Sequence, residues 1–159
     1  MSALRGFALL VVVLLLVPGA PGRARLGNDR FDVRLMNVSS RPCTVQGYPG
    51  LGFLGRRGQV EHVPVHRGSG MLSQDPGPHL LLVRPHASVS ASVGYTPNCS
   101  KPDASDGNVP ASIQITPPDE RDHVTTAIDQ RIQICGNGVT VTALVAGSGG
   151  VRAPGGGHT

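Results

Sequence analysis

The side chains of this sequence best suited to chemistry are its histidines, three cysteines and a short acidic run. His62 and His66 lie four residues apart, and His79, His86 and His123 are candidates to join them. Imidazole is a common ligand for zinc-like ions, but one coordination shell must gather several donors. On an extended strand, residues four apart share a face yet stand about 13 Å from each other. One ion would reach both His62 and His66 only if the chain bent at Pro64. With no alternating His pair and no HExxH motif, these residues read as exposed loop histidines, and no cofactor is expected.

Hydrolysis needs an activated nucleophile. Ser69 in Gly68-Ser69-Gly70 has flanking glycines but lacks the strand-turn-helix setting of a nucleophile elbow. Asp119, Glu120, Asp122 and His123 form a titratable cluster after Pro117-Pro118, which reads as solvated loop charge. Tyr48, Pro49 and Leu51 make a possible recognition patch. The competing expectation, preferred here, packs Tyr48 over a sheet end with its hydroxyl on the backbone. Asn37-Val38-Ser39 and Asn98-Cys99-Ser100 match a glycosylation pattern, and Asn37 is read as a turn former. No catalytic residue is assigned, and the chain is not expected to be an enzyme. An extracytoplasmic metal-binding protein using the histidines is the alternative, and a secreted hydrolase a distant third.

The N-terminus carries the compartment. Arg5 precedes an apolar run from Phe7 to Val17, followed by Pro18-Gly19-Ala20-Pro21-Gly22. A cation, a short apolar core and a small-residue exit are the parts of a secretory signal. The run falls short of the roughly 20 residues a membrane-spanning helix needs. Residues 1–22 are therefore expected to be a signal peptide and 23–30 a flexible lead-in; a membrane attachment would exist only through an uncleaved signal. Outside the cytoplasm two of Cys43, Cys99 and Cys135 should pair. Cys99 and Cys135 each end an expected strand and enclose one compact excursion, so they are expected to bond, leaving Cys43 as the odd thiol. In the chain-entropy model that closure stabilises by about 4 kcal/mol.

The elements that must position these groups are strands. Glycine (22) and proline (14) exceed a fifth of the 159 residues, so long helices are disfavoured. Phe31, Val33 and Leu35 alternate on one face. Leu51–Leu54 and Gln59–Val65 flank the Gly55–Gly58 turn as a hairpin, with Pro64 holding the second strand at a sheet edge. His79–Val83 reads as a short buried strand. Ala87, Val89, Ala91, Val93 and Tyr95 face one way, against Ser88, Ser90 and Ser92. Ile113 and Ile115 mark another strand, and Val124–Gln130 reads as a turn of helix. Ile132 and Ile134, the Gly136-Asn137-Gly138 turn and Val139–Val145 read as a closing hairpin. Residues 31–146 are then one domain of seven or eight short strands, an all-β antiparallel two-sheet sandwich, with 147–159 a disordered tail.

The charge balance excludes a common alternative. A net +4 comes from scattered arginines, aromatics are 3% and tryptophan is absent. The adjacent pair Arg56-Arg57 lies in a turn. A nucleic-acid surface wants a basic cluster, with stacking rings for single strands. No nucleic-acid partner is expected.

The block Asn37-Val38-Ser39-Ser40-Arg41-Pro42-Cys43-Thr44-Val45-Gln46-Gly47-Tyr48-Pro49-Gly50-Leu51 closely resembles the signature of an actinobacterial exported domain of unknown function, family 4232. Leu82-Val83-Arg84-Pro85, Cys99, Ile113–Pro118 and Cys135 continue the resemblance over roughly residues 31–145. It implies an immunoglobulin-like sandwich on secreted or cell-envelope proteins, and no mechanism. Two positions depart from the pattern. No cysteine precedes Cys43, the signal-like run standing where a first strand belongs, and His86 occupies a place where the family tends to have glycine. The expectation is a non-catalytic module, secreted or in the envelope, binding an unidentified extracytoplasmic ligand or protein.

Overall fold

A computed structural model describes residues 10–15, 29–97, 99, 109–129 and 131–147. The remainder of the expected signal and lead-in, the Asn98 and Ser100 positions and the tail beyond Gly147 lie outside the described residues. There is no helix among the described residues, and strands pair mostly antiparallel in layers that face one another across a shared core. The all-β sandwich expected from composition and alternation is what forms.

The first sheet runs β1 (Leu10–Leu15), β2 (Asp29–Asn37), β8 (Ser88–Tyr95), β11 (Val139–Val141) and β6 (Val65–Arg67), with β12 (Val145–Ala146) also on β8. The second runs β10 (Val124–Ala127), β9 (Ser112–Thr116), β4 (Gly50–Leu54) and β5 (Val60–Glu61). A short pair, β3 (Cys43–Val45) with β7 (Leu81–Val83), completes the domain. Phe31, Val33 and Leu35 of β2 and Val89, Ala91 and Val93 of β8 are buried, as period-two alternation requires of a half-buried strand. Phe53, Ile113 and Ile115 meet them from the second sheet. Burying each such side chain contributes roughly 1.5–3 kcal/mol.

Several expectations are corrected. The lead-in does not extend to residue 30: Asp29 and Arg30 already pair with Tyr95 and Gly94, and the Tyr95 hydroxyl donates to Asp29 at 3.2 Å. At the other end Gly147 N–H still donates to Ser88 O. Leu10–Leu15, expected to have no part in the domain, aligns antiparallel with Asp32–Asn37; its β-branched valines suit an extended chain. Val124–Ala127 is a strand on β9, because Val-Thr-Thr is β-branched and the free edge of β9 supplies a ladder. The strand at β7 is buried on one face only: Val83 is in the core, while Leu82 and, just before the strand, Leu80 are 63% and 68% exposed.

The closing hairpin also differs. The turn exists, with Gly138 N–H donating to Cys135 O, but its arms do not pair with each other. Val139–Val141 instead lies antiparallel to β8 and parallel to β6, so the sheet holds a parallel pair that was not expected. Gly138 has φ +79, and a Cβ there would stand 2.1 Å from the Pro64 carbonyl oxygen, so only glycine allows this approach. The chain changes sheets between β5 and β6 at Pro64, where loss of an N–H ends one ladder.

Candidate functional site

The residues singled out for chemistry disperse into structural roles. His62, His66, His79, His86 and His123 are all exposed, and no group of three His, Cys, Asp or Glu side chains suited to a metal occurs among the described residues. A ring nitrogen of His66 lies 3.1 Å from Asn137 O, and one of His123 lies 3.0 Å from the Gln114 side-chain amide. Ser69 follows β6 on a loop rather than a strand-to-helix elbow, and its Oγ accepts the Asp75 N–H at 2.9 Å. In the acidic run Asp119 turns the chain with φ +64 and Asp122 is exposed.

Tyr48, Pro49 and Leu51 do not form an exposed patch. Pro49 is buried, while Tyr48 and Leu51 are partly buried against the core. The Tyr48 hydroxyl donates to the Asp75 carboxylate rather than to backbone, and Arg67 stacks 5.5 Å above the ring. Asp75 also accepts N–H donors from Ala143 and Gly77, tying the long 68–80 loop to the core. Burial pushes the Asp75 carboxyl upward, but the bonds from Tyr48, Ala143 and Gly77 outweigh it and hold the group below the ordinary carboxylate range. The Tyr48 phenol is raised, first by that bond to Asp75 and then by burial.

Asn37 is a second internal knot. It is fully buried, its amide nitrogen donating to Arg41 O at 2.8 Å and Val83 O at 2.9 Å, its side-chain oxygen accepting from Ser39. Its backbone exchanges bonds with Ala87 and His86. A side chain so enclosed is a turn organiser, and the folded domain leaves no room for a glycan on it. The neighbouring His86 has φ +63, a left-handed backbone that glycine adopts without strain. The glycine expected from the resemblance is thereby explained, and histidine sits there against a steric cost.

Cys99 and Cys135 pair as expected, although neither ends a strand: β8 stops at Tyr95, and Ile132–Ile134 is not a strand element. Cys99 and Cys135 form a disulfide with Cα atoms 5.3 Å apart. Cys43 is the free thiol, half-buried on β3, and burial raises its pKa, which lowers its thiolate content and reactivity.

What the sequence did not assemble is an open groove of about 620 Å³ whose described lining is Arg56, Arg57, Gln59, Val109 and Arg131. Arg56 and Arg57 occupy the β4–β5 turn, closed by Gly58 N–H to Gly55 O and Gly55 N–H to Gln59 O. Ala111 N–H donates to Leu54 O at 2.8 Å, fixing the segment next to Val109 against the same hairpin. Arg131 precedes the buried Ile132 and stands four residues from the disulfide at Cys135. Residues more than seventy positions apart, Arg56 and Arg57 on one side and Arg131 on the other, thus line one groove. Only the Arg56-Arg57 pair was visible as a signal, and it looked like an ordinary turn.

A family model describing a domain of unknown function (DUF4232) matches residues 16–145. No curated protein and no solved structure matches. With the match spanning most of the chain, the chain belongs to the domain-of-unknown-function family DUF4232.

Proposed function

We propose that this chain is an exported, non-catalytic β-sandwich module that binds a ligand or protein outside the cytoplasm, in the secreted or cell-envelope space. The observation that carries the reading is the Cys99–Cys135 disulfide, a bond that oxidising compartments maintain and the cytoplasm ordinarily reduces. Residues 1–22, with the features of a secretory signal, supply the route. The non-catalytic part is supported by the use of the reactive candidates: Ser69 holds a loop, Tyr48 and Asp75 hold each other, and Cys43 is made less acidic by burial. The exposed His62 and His66 lend no support to a metal carrier.

The test is the intact mass of protein purified from the exporting host, before and after reduction and thiol labelling. The expected result is a mature start near Arg23 or Arg25, with one thiol, Cys43, labelled before reduction and three after. Such processing removes β1 and leaves β2 as a sheet edge. A retained N-terminus with three thiols free from the outset would overturn export.

A further inference from the structure

We infer that the groove formed by Arg56, Arg57 and Arg131 is an anion-binding site for a ligand bearing several phosphate groups. The proposal deepens the binding-module reading by assigning that module a site and a ligand class.

The first support is the convergence itself. Arg56 and Arg57 come from a tight turn between β4 and β5, and Arg131 from the segment leading to the disulfide, yet all line one open groove. Bringing like charges together is unfavourable unless something opposite fills the space between them. The second support is the state of those charges. Among the described residues no carboxylate forms an ion pair with any of the three, and no hydrogen bond engages their guanidinium nitrogens. The nearest acid in this hairpin, Glu61, accepts from the Gln59 amide instead, at 3.1 Å. Gln59 also accepts the Arg57 N–H at 3.0 Å, which stiffens the turn that carries the arginines.

The ligand class follows from the chemistry of the donors. Guanidinium is planar, permanently charged and offers paired N–H groups that match phosphate oxygens. Three such forks across one groove suit a ligand with more than one anionic group. The described lining is otherwise Gln59 and Val109, with no aromatic ring on which a base could stack. That favours an oligophosphate or a phosphate-linked polymer over a nucleic acid.

The experiment is a calorimetric titration of the purified protein, in whichever N-terminal form the host yields it, with inorganic tripolyphosphate, poly(glycerol phosphate) and a single-stranded oligonucleotide, at low and at physiological salt. Tripolyphosphate should bind, more weakly at higher salt. The double variant Arg56→Gln with Arg131→Gln should lose about tenfold or more of that affinity. Arg84→Gln with Arg121→Gln removes the same charge outside the groove and should change affinity less than about twofold. Comparable melting temperatures would establish that both variants fold. Tighter binding of poly(glycerol phosphate) than of tripolyphosphate would place the ligand on a polymer, and the reverse would favour free oligophosphate. Equal losses in both double variants would mean that only net charge is read, overturning the site. No binding by either phosphate probe would overturn it as well, and arginine-dependent preference for the oligonucleotide would overturn the ligand class. A failure of export, read from the mature mass, leaves this titration unaffected, so the two proposals fail separately.

Discussion

The Asn37 turn and the arginine groove are the two most polar constructions in this domain, and they are built on opposite principles. Around Asn37 the chain has buried a polar side chain and satisfied it from Arg41, Val83 and Ser39, while its backbone bonds to Ala87 and His86. At the groove three exposed arginines line one open space without carboxylate partners among the described residues. A buried amide is stable only when its bonds are made internally, so the first construction is complete as it stands. The second makes no such internal bonds, and on the proposed reading a ligand supplies them. The contrast separates polar residues that hold the fold from polar residues that the fold leaves in solvent.

The sharpest way to break that comparison is Asn37→Ala. It strands the Arg41 and Val83 carbonyls and the Ser39 donors, and should destabilise the domain by about 2–4 kcal/mol. A urea titration would show it as a lower midpoint at unchanged slope; a loss under about 1 kcal/mol would mean the knot is incidental. His86→Gly acts on the same knot with the opposite sign. Relief of the left-handed backbone should exceed the added freedom of the unfolded chain, for a net gain of about 0.5–1 kcal/mol in the same assay. A loss of stability would show that the His86 side chain contributes more than its backbone costs. The smallest effect belongs to the groove. Arg56→Gln with Arg131→Gln should move stability by no more than about 0.5 kcal/mol, because exposed charges without partners support little of the fold. A large loss there would erase the distinction between the two regions.

The legible parts of this protein are those in which a short window of sequence contains its own explanation. Phe31, Val33 and Leu35 alternate with Asp32 and Arg34, so one buried face follows from the backbone pleat alone. The same holds for β8, although Ser90 and Ser92 on its other face are buried too, bonded to Gly147 and Asp32 beside the strands that flank this central strand on both edges. Where two pairings compete, local pattern fails. Ile132 and Ile134 alternate as a hairpin arm would, but Cys135 is held to Cys99 and donates to Thr96 O, while β8 and β6 take up Val139–Val141. Val124–Ala127 was too short to carry a period, and only the open edge of β9 made it a strand.

The candidate site divides the same way. Tyr48, Pro49 and Leu51 stand out by residue type, yet their burial depends on the 68–80 loop, whose Asp75 sits 27 positions from Tyr48. Arg131 carries no local mark of interest, and its meeting with Arg56 and Arg57 depends on how the second sheet is ordered.

By itself the sequence determined the all-β class, the inward faces of its main strands, the turn at Gly55–Gly58 and the two cysteines that bond. Each follows from alternation, backbone conformational limits or cysteine arithmetic, which act within short stretches or on few candidates. Tertiary structure alone decided that Leu10–Leu15 lies on β2, that β11 runs parallel to β6 and that three arginines share a groove. Those facts depend on which free edge each strand meets and on which loops arrive at the same end of the sandwich. Such contacts join residues far apart in the chain, and no local window contains both partners.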